Sequence, residues 1–504
     1  MTARCSLQVE DERNTTELEW LPLETLSIDS EDHRWSKSEH VYYQFVRFSI
    51  YCAAVPACAL ACLALATAQL GTIGSRQSGI LYATYTLFSF IGATTFLIQR
   101  IGSRGAIVLG QILFGGYIAL FWMASMLVHT SKGSAEISAW LGACLGGIGA
   151  SVFWTAQGVY FAEAAQVHCE QSGRTIEEST SLLAGVFAFS FLVEETLVDV
   201  LATILVKVGV PWALVFLLYT ILTIIAICCA TTVPIYPRHA LENRQNTGCS
   251  KALGAVNLLI TDSRTKYMIG FNAAFGFAGA YLNSFISGQV IPKVFHDTSF
   301  VGVLVAIHGV TAALVSLCYS RMTSKAPALF LGSLAFAFVA VPFFVEPDVE
   351  KNWGWGHVLF IYSIHGVGRA TFEGPLKAVF ADLFPRETDA AFTNITLQNG
   401  LAGSVAYILM SRLACVPSTT SVGSFCVAYQ DGTYHDIGRF GCIVIGTCVA
   451  SIVGFARVLS LSQRDSHTMA KGTDRLAYRN DLDSQDELVH ELQEEEDNGV
   501  HALD

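Results

Sequence analysis

Arg369, Glu373 and Lys377 stand four residues apart within an otherwise apolar run. On a helix that spacing puts all three on one stripe, where each cation can neutralise the carboxylate next to it. A second run carries Glu194, Glu195 and Asp199. Glu195 and Asp199 share a helix face, and Glu194 points about 100° away. A charge at the centre of a bilayer costs about 2.5–3.5 kcal/mol on insertion scales, so such groups are kept only where they face protein or water. A carboxylate held there can also bind a proton, the requirement for coupling movement to a proton gradient. The plainer alternative is a paired ladder that only holds its helix in a bundle. Trp154, Gln157 and Tyr160 fall at spacings of three, an aromatic and amide face that suits a cavity wall for a mostly apolar solute. Helix packing explains that face equally well. His308 and His365 are lone histidines in apolar runs and read as hydrogen-bonded packing residues. Gly142-x-x-x-Gly146, Gly270, Gly276 and Gly279 read as close-packing positions, with Asn272, Asn283 and Ser284 as polar neighbours.

The elements that position these groups must be membrane helices. Hydrophobic residues make up 52% of the 504 positions and charged residues 14%, against about 25% charge in a soluble domain. A helix needs about 20 apolar residues to cross the hydrocarbon core. Twelve runs of that order occur, near 45–70, 78–98, 106–128, 138–162, 181–205, 211–233, 267–290, 300–320, 326–345, 356–381, 392–413 and 437–461. In lipid the backbone must satisfy its own hydrogen bonds, so the runs are read as helices. The expected class is an all-α, multi-pass membrane protein with lipid as its solvent. Glu195 and Arg369 each lie about 15 residues from the same expected end of their runs, so an ion pair between the two helices is geometrically allowed.

Charge is unevenly placed. Residues 1–40 hold ten acids against four bases, and 462–504 hold twelve against four. The body between them is near neutral, and the acidic, apolar-poor tails (1–44 and 462–504) read as disordered. Neither offers a basic patch for nucleic acid. Eleven Lys and Arg residues fall in the loops on one side of the runs and six on the other. The richer side, shared by both termini, is expected to be cytoplasmic. The N-terminus lacks a basic start before an apolar run, so the first span is expected to act as an uncleaved anchor. A spacer, 237–265, separates runs six and seven.

Other chemistry is not signalled. No phosphate-binding GxxxxGK[ST], HExxH or GxSxG stretch is present, and no loop is long enough for an enzyme domain. The fourteen cysteines show no metal-ligand spacing, so no zinc site and no cofactor are expected. Cys415 and Cys426 share a loop placed outside, where a disulfide can persist; two free thiols are the alternative. The sequons at Asn14 and Asn394 are expected to go unused.

The two halves repeat. Gly147, Gly149, Phe153, Phe161, Ala162 and Glu163 recur as Gly366, Gly368, Phe372, Phe380, Ala381 and Asp382, all offset by 219. Leu183-Ala184-Gly185 recurs as Leu401-Ala402-Gly403, and Ser103-Arg104 loosely as Ser324-Lys325. Two six-helix halves in parallel repeat are the plan of major facilitator transporters. The expected domains are 45–236 and 266–461.

Gly147-Ile-Gly149-Ala150-Ser151 through Trp154, Gln157, Gly158 and Tyr160 resembles the fourth-span signature of the uncoordinated-93-like branch of the major facilitator superfamily. Gly79, Tyr82 and Tyr85, the Ile101-Gly102-Ser103-Arg104 loop, and Gly366-Val-Gly368 through Phe380 are similar too. The resemblance covers about 45–461. It implies twelve spans and a transporter-like fold. The family's members are tied variously to potassium-channel regulation, trafficking of membrane proteins and solute transport. A small solute or ion, or a membrane-protein partner such as a channel or receptor, is therefore expected. The Arg104 loop resembles the superfamily's basic gating turn without its usual acid, and a cross-half Glu195–Arg369 pair would by resemblance act as a gate. The charges at Glu373 and Lys377 depart from the family's usual uncharged polar residues.

Overall fold

The computed structural model describes residues 26–70, 72–236, 254–295, 300–346, 348–413, 426–428, 434–436 and 438–464. The chain forms two compact units, Met1–Ile452 and Val453–Asp504. What is described of the second is the end of the last helix, up to Arg464; the rest of this account concerns the first. The helices are α1 Leu26–Leu70, α2 Thr72–Phe90, α3 Ala93–Leu127, α4 Lys132–Ser172, α5 Ile176–Lys207, α6 Trp212–Ala230, α7 Gly254–Thr261, α8 Ser263–Tyr267, α9 Ile269–Ala280, α10 Ile291–Phe295, α11 Phe300–Tyr319, α12 Ala326–Val345, α13 Val349–Asn352, α14 Trp355–Thr371, α15 Lys377–Leu383, α16 Thr388–Arg412 and α17 Gly438–Arg464. π-helical segments, Tyr281–Val290 and Phe372–Leu376, join α9 to α10 and α14 to α15.

Among the described residues, seven helices are long and apolar enough to cross a bilayer: the 39–66 part of α1, α3, α4, α6, α11, α12 and α17. The other five expected runs are also helical. They fall short because they are polar (α2, α16), carry mid-helix charge (α5), or are broken by a π segment (the α9 and α14 runs).

Several boundaries differ from the sequence reading. Run 78–98 is broken at Gly92, whose φ of 69° is left-handed, a conformation that costs glycine nothing. The segment after it runs on into the third run, kinked at Gly102 with φ 75°. Helix α1 begins inside the stretch read as a tail, and α7 and α8 occupy part of the spacer. Two three-residue strands, β1 Cys426–Ala428 and β2 Tyr434–Asp436, pair antiparallel after α16, with Cys426 opposite Asp436. Cys415 lies outside the described residues, and with it the expected disulfide.

Small residues bring the helices together. A Cβ at Gly149 would come within 2.9 Å of the Gly110 carbonyl, and one at Gly146 within 2.9 Å of the Tyr117 ring. This close packing of α3 and α4 is what Gly142-x-x-x-Gly146 signals. Gly270 and Gly276 are likewise crowded, by Ser451 and Ala402, whereas Gly279 faces open space. Two seams join the first-half helices to the second-half helices. Along α5 and α11, Gly302, Gly309 and Ser320 meet Thr203, Thr196 and Gly185. Along α2 and α16, Gly400 and Gly403 meet Tyr85 and Tyr82, and Thr86 and Ser404 hydroxyls lie 3.4 Å apart.

Candidate functional site

The stripe on α14 and α15 faces α4 and α5. Arg369 Nη2 donates to Glu195 Oε2 at 2.7 Å, joining α14 to α5. Its Nε lies 3.8 Å from Glu373 Oε1, an ion contact too long for a hydrogen bond. Lys377 Nζ donates to Glu373 Oε2 at 3.0 Å and to Gln157 Oε1 at 3.4 Å. Glu373 and Lys377 are buried, and Arg369 and Glu195 nearly so. Two cations and two carboxylates thus alternate along one line with no net charge. Burying such charges is tolerated only when pairing and hydrogen bonds replace water.

Aromatic rings complete the enclosure. Lys377 Nζ sits 4.5 Å from the centroid of the Trp154 ring and 5.2 Å from that of Phe187, and Arg369 lies 5.7 Å from that of Phe191. A cation over an aromatic face gains about 0.5–2 kcal/mol, more when desolvated, with Trp the strongest partner. Phe187 and Phe191 stack 6.3 Å apart one turn from each other on α5. The local helix type helps to set this arrangement. Pro375, within the π-helical turn, has no N–H to donate to the carbonyl of Thr371, so the regular ladder cannot continue there. The turn widens, yet the Glu373–Lys377 contact survives it.

Not every expected residue joins the ladder. Tyr160 is fully buried away from it; its hydroxyl donates to the Pro234 carbonyl at 3.0 Å, and its ring stacks on Phe48 at 4.1 Å. Glu194 and Asp199 are half-buried on α5, and among the described residues neither carboxylate has a hydrogen bond or ion pair. Arg104 Nη1 donates to the Val233 carbonyl at 3.0 Å, a cation at the end of α6 and a contact within the first half. Its neighbour Ser103 donates to Glu163. Asn272 donates to Gln398 at 2.7 Å. Asn283 is exposed, and the Ser284 side chain lies outside the described residues. Asn394 is buried and donates to the Ala255 and Ala390 carbonyls, which leaves its sequon unreachable.

Sequence reasoning missed two constellations. His308 and His365 are not lone: His365 Nδ1 and His308 Nε2 lie 3.0 Å apart, one turn along α14 from Arg369. Their spacing of 57 residues gave no local signal. At the end of the bundle that holds Arg104, Lys325 donates to Asp382 at 2.7 Å and to the Glu177 carbonyl at 2.9 Å. Thr180 donates to the other Asp382 oxygen at 2.9 Å, and Ser181 donates to the Met322 carbonyl at 2.7 Å. This clasp ties α5 to the second half. The repeat that pairs Glu163 with Asp382 at an offset of 219, and Arg104 loosely with Lys325 at 221, was the signal that would have found it.

Residues 73–315 match the family model described as "Ion channel regulatory protein UNC-93". UNC93-like protein 3 of Arabidopsis thaliana is 21% identical over 353 residues, covering 67% of this chain and 73% of that protein. Over that stretch the chain is similar to UNC-93 proteins, as its fourth-span signature implies. Among solved structures, a bacterial homologue of the iron transporter ferroportin in an outward-facing state superposes with TM-score 0.58 at 13% identity, covering 83% of this chain and 99% of that one. The human organic anion transporter MFSD10 (TETRAN) gives 0.57 at 13%, covering 82% and 99%. The E. coli fucose:proton symporter FucP gives 0.54 at 12%, covering 83% and 98%. At such low identity these likenesses establish the fold, that of the major facilitator superfamily, and nothing finer.

Proposed function

We propose that this multi-pass, UNC-93-like membrane protein of the major facilitator fold moves a small solute or ion by alternating access, with the Arg369–Glu195 ion pair as the latch between its halves. One observation carries the reading: a 2.7 Å ion pair, shielded from solvent, that links a helix of each half. An ion pair of this kind has two discrete states. Made, it holds the halves together at mid-depth; broken, it leaves a buried carboxylate and a buried cation that need a proton, a ligand or water. Asp199, one turn from Glu195 and without a hydrogen-bond or ion-pair partner among the described residues, is the second carboxylate within reach of that chemistry. The bases at Arg104 and Lys325 mark the proposed cytoplasmic end.

The test has two parts. In reconstituted vesicles, cysteines replacing Ala184 and Thr203, at opposite ends of the α5 seam, should react with impermeant thiol reagents from opposite faces and in a mutually exclusive way. Glu195→Gln should abolish proton-driven uptake of any solute carried while the protein still folds. Uptake that keeps its full pH dependence in this variant would remove the latch from the coupling mechanism.

A second reading is an accessory subunit for an ion channel. It is favoured by the printed description of the matched family and by the internal neutralisation of the ladder, which a static scaffold would need as much as a transporter. For that protein the seam cysteines stay unreactive from both faces, and the chain co-purifies with a channel.

A further inference from the structure

We propose that the box around the Lys377 ammonium is a receptor for primary alkylammonium ligands, with Lys377 as its built-in competitor. The inference rests on the alternating-access reading and names the substrate class of the same site. The box has the parts an ammonium needs. Two oxygens accept its protons, Glu373 Oε2 at 3.0 Å and Gln157 Oε1 at 3.4 Å. Two π faces flank it, Trp154 at 4.5 Å and Phe187 at 5.2 Å. Trp154, Gln157 and Phe187 belong to α4 and α5 of the first half, whereas the guest comes from α15 of the second. Glu373 stands one turn from Lys377 on the same half, so when the halves part the two leave together, and the amide and the rings remain behind as an empty cation seat.

Charge balance fixes the sign of whatever takes that seat. The closed ladder holds two cations and two carboxylates. Parting takes two cations and one carboxylate away with the second half and leaves Glu195 on the first, so a cationic ligand on the first-half seat restores the balance and an anion there would add to its negative charge. Hydrogen bonding fixes the class further. A primary ammonium carries three donors, one of which the Gln157 amide oxygen accepts; a quaternary ammonium would keep the π contacts and lose that hydrogen bond. On the return stroke Arg369 regains Glu195 as Lys377 displaces the ligand, so the closed state is reached without an uncompensated carboxylate.

The test uses the full chain in lipid nanodiscs and titration calorimetry with matched probes: n-butylammonium, tetramethylammonium and n-butyrate. The wild-type protein is expected to bind n-butylammonium in preference to both others. Trp154→Leu and Gln157→Leu should each weaken that binding about tenfold. Lys377→Ala, which removes the competitor and leaves space for the alkyl stem, should tighten it about tenfold. Should Lys377→Ala fail to fold, the wild-type, Trp154→Leu and Gln157→Leu arms decide. Binding of n-butyrate in place of the ammonium, ammonium binding indifferent to both box substitutions, or no ammonium binding by either the wild-type protein or a folded Lys377→Ala overturns the proposal. Failure of the transport reading shows elsewhere, as seam cysteines that never change sides while Lys377→Ala still takes the ammonium. Seam cysteines that alternate without ammonium binding end this inference alone.

Discussion

Glu373 is the residue on which the ladder turns, since it is the carboxylate shared between Arg369 and Lys377. Removing one partner of a buried ion pair strands the other, at a cost of about 3–5 kcal/mol. Glu373→Ala strands Lys377 and leaves Arg369 with Glu195 alone, and it should be among the most damaging single substitutions here, read as a large fall in detergent thermal stability. Glu373→Met combined with Lys377→Met leaves no charge at those two positions and keeps Arg369 on Glu195; it should recover most of the loss. If the double variant proves no more stable than Glu373→Ala, the ladder's pairing is not what stabilises it. The stripe itself was legible in the sequence, because a spacing of four in an apolar run has one physical consequence on a helix. Which residue would answer Arg369 was legible only as an equality of depth. Phe187 and Phe191 could not be picked out, because a phenylalanine against lipid and one against an ammonium look alike in a string.

At the scale of elements, the seam between α5 and α11 is set by residues with almost no side chain. The backbone at Gly309 lies against Thr196, and a Cβ there would collide with the threonine hydroxyl. Gly309→Val should therefore push α11 from α5 and make a cysteine at Thr203 reactive to thiol reagents without any trigger, whereas Gly279→Ala, which meets nothing within 4 Å, should leave labelling unchanged. Equal labelling of the two variants would show that the seam does not depend on this contact. The helices were mostly readable, since an apolar run of bilayer length has few alternatives. The breaks were not. Gly92 and the π-helical turn before Lys377 are local departures from regular geometry inside sequences that average to an ordinary span, and periodicity cannot register a change of helix type. The Trp154, Gln157 and Tyr160 face failed for a related reason: spacings of three drift round the helix, so Tyr160 ends against α1 while the other two face Lys377.

For the whole molecule, the sequence repeat carried more than any single motif. Its near-constant offset, 218–221 residues, implies two related halves, and the chain superposes on major facilitator structures. The repeat also locates equivalent positions that serve different ends. Glu163 accepts from Ser103 inside its own half, whereas Asp382 accepts from Thr180 across the halves and from Lys325. Asp382→Asn should loosen the clasp that Lys325 and Thr180 make and raise labelling of a cysteine at Ser181 several-fold, while Glu163→Gln should not. Matched labelling of the two variants would mean the clasp does not close that end. The alternating ladder has one more consequence, for the response to a transmembrane voltage. A field of 100 mV does about 2.3 kcal/mol of work on each elementary charge carried fully across it. Two positive and two negative groups travelling together give it nothing to grip. Electrical polarisation of the membrane can therefore do work on this site only in the step where the partners come apart, and a protein built this way would be silent to depolarisation until a ligand or a proton has first separated them.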